Sequence, residues 1–91
     1  MTRMIWEFPL AQTDHRLRIP MPFGATLLHV GYDPLGALCV WALVDPAEPQ
    51  SPRRLHVIGT GQPCDYAAEQ YVGTVLDGSF MWHVFDGGYE S

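Results

Sequence analysis

Glycine and proline interrupt this chain roughly every eight to twelve residues, and the runs between them are short and rich in Val, Leu, Ile and aromatic residues. Such runs are too short for ordinary helices, and their residue types fit a pleated, half-buried surface. The pattern predicts an all-β (β-rich) fold: a small antiparallel sheet curling into a barrel or sandwich, with at most one short helix near residues 64–70. A length of 91 residues supports one core and no more, so residues 1–91 form a single domain.

The strands follow from alternation. Met4 to Phe8 sets Met4, Trp6 and Phe8 against Ile5 and Glu7, and Pro9 ends the run or places it at a sheet edge. Arg16 to Ile19 sets Leu17 and Ile19 against two arginines. Thr26 to Tyr32 follows a proline-rich connection, and Asp33-Pro34-Leu35-Gly36 has the chemistry of a tight turn into Ala37 to Val44. That strand is apolar at every position, so both of its faces need cover, as in a central strand or one buried by a second subunit. Residues 45–52 contain three prolines and read as an exposed, locally extended loop. Arg53 to Ile58 alternates again and runs into Gly59-Thr60-Gly61. Cys64 to Gln70 is the only helical candidate, at about two turns. Tyr71 to Leu76 and Phe80 to Phe85 form a hairpin across Asp77-Gly78, and residues 86–91 read as a loose tail.

Ten acidic residues stand against five arginines and no lysine, which argues against binding a nucleic-acid backbone. The two cysteines, Cys39 and Cys64, do not indicate a disulfide framework. No apolar stretch approaches the roughly eighteen residues of a membrane span, and the N-terminal residues lack the apolar core of a signal peptide. These features predict a cytoplasmic protein without membrane contact. Hydrophobic residues make up 47% of so short a chain, which predicts apolar surface that meets a partner, most simply in a homodimer or higher homo-oligomer.

Several groups of residues are candidates for chemistry. Leu28-His29-Val30, Leu55-His56-Val57 and Trp82-His83-Val84 recur at a spacing of 27 residues. If their strands were neighbours in register, His29, His56 and His83 would offer three imidazoles to zinc and leave a fourth position for water, the arrangement of a small hydrolase. Three strand histidines with hydrogen-bonded tips are the plainer reading. Gly59-Thr60-Gly61 offers consecutive backbone N–H groups to an anion, or else simply a bend. Arg54 and His56 share a strand face by parity and, with Trp41 or Trp82, would form a pocket for a planar anionic ligand. No nucleophile has a legible base beside it, and no cofactor is implied.

Four stretches together carry a resemblance: Ile5-Trp6-Glu7-Phe8-Pro9-Leu10, Trp41-Ala42-Leu43-Val44-Asp45-Pro46, Arg53-Arg54 with Val57-Ile58-Gly59-Thr60-Gly61, and Tyr71-Val72-Gly73-Thr74 with Trp82-His83-Val84-Phe85. The chain resembles a family of small bacteriophage and prophage proteins known as a domain of unknown function. That resemblance supplies no catalytic residues. It implies a phage accessory protein in the host cytoplasm: a non-enzymatic binding protein that inhibits or sequesters a host component, including anti-phage defence proteins or small nucleotide signals. The metal-dependent hydrolase is the alternative.

Overall fold

The computed structural model describes residues 2–10 and 15–90. Seven strands account for most of them: β1 (Met4–Pro9), β2 (Arg16–Pro22), β3 (Thr26–Tyr32), β4 (Leu38–Val44), β5 (Gln50–Gly59), β6 (Tyr71–Asp77) and β7 (Phe80–Tyr89). All pairings are antiparallel, in a three-stranded sheet ordered β1-β4-β3 and a four-stranded sheet ordered β2-β5-β7-β6. Between the barrel and the sandwich expected from the sequence, the chain forms the sandwich. The two sheets face each other without a ladder joining their edges.

The apolar run of β4 is explained by its central position. Leu38, Val40, Ala42 and Val44 point inward and are buried. They meet Leu17, Leu55, Val75 and Val84 from the other sheet, and Met21 and Ala25 from the β2–β3 corner. Trp41 and Leu43 point outward and are half-buried between β1 and β3. One seam of the sandwich closes where β3 packs on β6. There a Cβ built on Gly73 would lie 2.8 Å from Val30 Cγ1, so the approach of the two strands depends on that glycine.

The sequence places residues 86–91 in a loose tail, but β7 runs on to Tyr89. A polar network holds it. Asp86 accepts from Arg53 Nε at 2.8 Å and Nη2 at 2.5 Å, a bidentate pair with the Arg53 side chain almost fully buried. Arg53 Nη1 also donates to the Ala25 carbonyl at 2.6 Å, and its guanidinium lies 4.6 Å from the centre of the Tyr89 ring. Tyr89 Oη in turn donates to the Pro22 carbonyl at 2.5 Å and accepts from Ala25 N at 3.0 Å. Hydrophobic alternation does not register such a polar anchor, because it is built from residues that read as surface. Similarly, the exposed 45–52 loop is shorter than expected: Asp45 caps a turn by accepting from Ala47 N at 3.0 Å, and Gln50 to Pro52 already pair with β2. Prolines 20 and 22 are tolerated because β2 is an edge strand.

The helical candidate at 64–70 contracts to one 3-10 turn, Ala68–Gln70. The Gln70 side chain limits it by accepting from Ala67 N at 2.8 Å and donating through Nε2 to the Asp86 carbonyl at 2.9 Å, which pins the segment to β7 before β6 begins. Among the described residues, no helix is long and apolar enough to cross a membrane.

Candidate ligand-binding face

Strand parity sorts the residues of β5. Arg53, Leu55 and Val57 point into the sandwich, whereas Arg54, His56 and Ile58 point out of the four-stranded sheet. Register then decides what joins them. Arg18 lies opposite Arg54, Arg16 and Phe85 lie opposite His56, and His83 lies opposite Ile58. Tyr71 pairs with Phe85 and Thr74 with His83 from β6. One outer face therefore collects three of the five arginines, two of the four histidines and a set of aromatic rings.

At its centre His56 is stacked on Tyr66, with ring centroids 4.2 Å apart and planes 12° from parallel. Tyr66 also packs 5.8 Å from Phe85. The stack depends on a missing side chain: a Cβ on Gly87 would come within 2.5 Å of His56 Nε2. Burial lowers the His56 pKa, and the neighbouring Arg16 and Arg54 cations lower it further, against a smaller opposing pull from Asp86. The imidazole is therefore neutral at pH 7, beside two positive charges, and its buried Nδ1 has no hydrogen-bond partner among the described residues. Arg18 is occupied by Glu90 at 2.6 Å. Neither Arg16 nor Arg54 has a carboxylate partner among the described residues.

A cleft of about 320 Å³ opens beside the stack, lined by His15, Arg16, Ile58, Gln62, Asp65 and Tyr66. His15 donates through Nδ1 to the Val57 carbonyl at 3.3 Å, which leaves Nε2 facing away from that bond. Arg16 and the Tyr66 ring supply a planar cationic fork and an aromatic surface within one cleft. Asp65 disfavours a second anionic group and suits an N–H or hydroxyl donor. A second cavity of about 260 Å³ continues along the face past Ile58 and Gln62, with Thr60, Tyr71, His83 and Phe85 in its wall. There His83 is held at both nitrogens, Nε2 against Thr60 Oγ1 at 2.7 Å and Nδ1 against Thr74 Oγ1 at 2.9 Å, and Thr74 is hydrogen-bonded to the Tyr71 hydroxyl.

The residues singled out from the sequence are thus partly united. Arg54 and His56 do share a face, and Gly59, Thr60 and Gly61 border its second cavity. The turn is not a free anion cradle, because the Gly59 N–H donates to Gln62 Oε1 at 2.7 Å and the Thr60 N–H to the Met81 carbonyl at 3.4 Å. Trp41 is on the outer face of the other sheet, 5.8 Å from the His29 ring. Trp82 points toward the core and stacks on Phe80 at 5.9 Å. Neither tryptophan joins Arg54 and His56; Tyr66 and Phe85 take that place.

His29, on the outer face of the three-stranded sheet, is separated by the whole sandwich from His56 and His83, so the three do not surround one ion. The constant spacing is a coincidence of strand length with no common register behind it. The only group of potential ligand atoms lying close together among the described residues is Glu7, Asp33 and Cys39, within 4.8 Å of one another. There burial, and then the two carboxylates, raise the Cys39 pKa.

Sequence reasoning missed Arg16, Tyr66, Tyr71 and Phe85 as parts of the face, and His15, whose ring lies 6.1 Å from Trp82, as part of the cleft at its edge. Arg16 has the same outward parity in β2 that Arg54 has in β5, which was a usable signal. The pairing of β2 with β5 was needed to bring the two together.

No curated protein and no solved structure matches the chain. A family model described as a domain of unknown function, DUF7352, matches residues 1–90, and the chain belongs to that family.

Proposed function

We propose that the protein is a non-catalytic binding module that holds a small, planar, anionic ligand of the nucleotide class on the outer face of its four-stranded sheet. The observation that carries this reading is the placement of Arg16 and Arg54, neither with a carboxylate partner among the described residues, beside a neutral His56 stacked on Tyr66. Two like charges beside a half-buried aromatic stack repel one another in the free protein, and an anion relieves that repulsion. The chain's net charge of −5 makes this local positive face the exception on an acidic molecule. The resemblance to small phage proteins adds a setting, in which the ligand is a host signal that the protein sequesters.

The self-association expected from the composition belongs to the same proposal. Its surface is the outer face of the three-stranded sheet, where Ile5 and Leu28 are 61% and 46% exposed beside Trp41 and Leu43. Sedimentation of the Ile5→Asp variant as a monomer, against a dimeric wild type, checks it.

Adenosine 5′-monophosphate is a suitable first probe. At a concentration 100-fold above its dissociation constant it should stabilise the protein by about 2.7 kcal/mol. Arg16→Ala should abolish that shift while moving the melting point of the free protein little, since Arg16 is exposed. An equal shift in wild type and in the Arg16→Ala, Arg54→Ala double variant would refute the reading.

A further inference from the structure

Thr60, His83, Thr74 and Tyr71 form an unbroken chain of hydrogen bonds that ends in two hydroxyls, and both end residues, Thr60 and Tyr71, line the second cavity. A neutral imidazole donates at one nitrogen and accepts at the other, so the chain has two senses. In one, Thr60 donates to Nε2, Nδ1–H donates to Thr74, Thr74 donates to Tyr71, and the Tyr71 hydrogen is free. In the other, Tyr71 donates to Thr74, Thr74 donates to Nδ1, Nε2–H donates to Thr60, and the Thr60 hydrogen is free. Either sense presents one donor and one acceptor, at opposite ends, and reversal moves only hydrogens. The remainder of the wall includes Ile58 and Phe85, so the polar pair is set against an apolar surface.

We infer that this cavity is a subsite for a planar nitrogen heterocycle carrying a donor and an acceptor on one edge, the chemistry of a nucleobase, and that the reversible chain lets it take bases of opposite donor–acceptor order. The inference rests on the anion-binding reading of the same face and extends it. Ile58 and Gln62 line both cavities, so the ring and the anionic group of one ligand occupy adjoining spaces. Apolar walls favour a flat ring over a sugar. His83, fixed at both nitrogens, has no freedom to swing out and make room for a bulkier group. Adenine and guanine present opposite orders of donor and acceptor on their pairing edges. The subsite binds both, and His83 adopts a different tautomer with each.

Three probes separate this inference from the reading beneath it: adenosine, guanosine and inorganic phosphate, each titrated into the full chain and followed by amide and histidine-ring 15N spectra. The expected result is that both nucleosides shift Thr60, Thr74 and His83 and leave His83 in opposite tautomers, whereas phosphate shifts Arg16 and His15. Thr60→Val should weaken either nucleoside about tenfold, the loss of one good hydrogen bond, and leave phosphate binding unchanged; Thr60→Ser should restore it. Nucleosides that leave the His83 cavity unmoved while phosphate still shifts Arg16 overturn the subsite alone. Silence from all three probes overturns both readings, and the same His83 tautomer with both nucleosides overturns the reversible chain.

Discussion

Asp86→Asn tests the polar anchor that makes β7 part of the sandwich. The wild-type carboxylate takes two hydrogen bonds from Arg53 and one from Gly88 N, at 2.8 Å. Burial alone would raise the Asp86 pKa, but the Arg53 hydrogen bonds, with Gly88 behind them, hold the carboxyl below its ordinary value. Burial likewise disfavours the Arg53 cation, and Asp86 and Tyr89 more than offset this. Removing one partner of a buried pair strands the other charge, at a cost of about 3–5 kcal/mol. The Asp86 side chain is 26% exposed against 9% for Arg53, and the new amide still offers one acceptor, so we expect about 2–3 kcal/mol. In a domain of this size that lowers the melting temperature by about 10–20 °C.

Thermal denaturation followed by circular dichroism, repeated from pH 7 to pH 2, is the assay. A carboxyl whose folded pKa is depressed contributes stability above its unfolded pKa, about 3.9, and loses that contribution as pH falls through the lower folded value. The gap between wild type and variant should therefore be full at pH 7 and pH 5 and close below about pH 4. A gap below about 0.5 kcal/mol at pH 7, the range of ordinary surface substitutions, would refute the reasoning. A gap that persists unchanged at pH 2 would refute it as well.

Gly73→Ala should cost about 1–3 kcal/mol by forcing β6 away from Val30, read as a lower urea midpoint; an unchanged midpoint would mean the seam has slack. Gly87→Ala should drive His56 off Tyr66 and bring its pKa back toward the ordinary histidine value, which a proton-NMR titration detects. Of the two thiols, Cys64 is exposed and Cys39 is buried beside Glu7 and Asp33 with a raised pKa. A native-state thiol titration should thus count one fast group, which Cys64→Ser removes, and a second only on unfolding.

Strand positions were legible because the side-chain period of a half-buried strand is written directly in Leu17, Ile19, Leu55 and Val57. The limits of Thr26–Tyr32 agree with the expectation, since a proline-rich connection and an Asp-Pro turn bound it. Strand order was not legible, because pairing between β2 and β5 or between β5 and β7 leaves no local mark on either strand. The candidate face suffered from the same gap. Parity alone joined Arg54 to His56, but only the register brought in Arg16, Phe85 and His83. Tyr66 was out of reach altogether, because its position depends on an irregular segment pinned by Gln70 to the backbone of β7. Arg53, which parity sends inward, is buried against expectation because Asp86 and Tyr89 meet it there.

The ring protons of His56 report most directly on the claim that this outer face holds an anion. In the free protein burial, together with Arg16 and Arg54, keeps the His56 pKa below the ordinary histidine value. An anion between the two arginines offsets their charge, so a titration repeated in saturating adenosine 5′-monophosphate should show the His56 pKa raised. An identical His56 titration with and without the nucleotide would contradict the account.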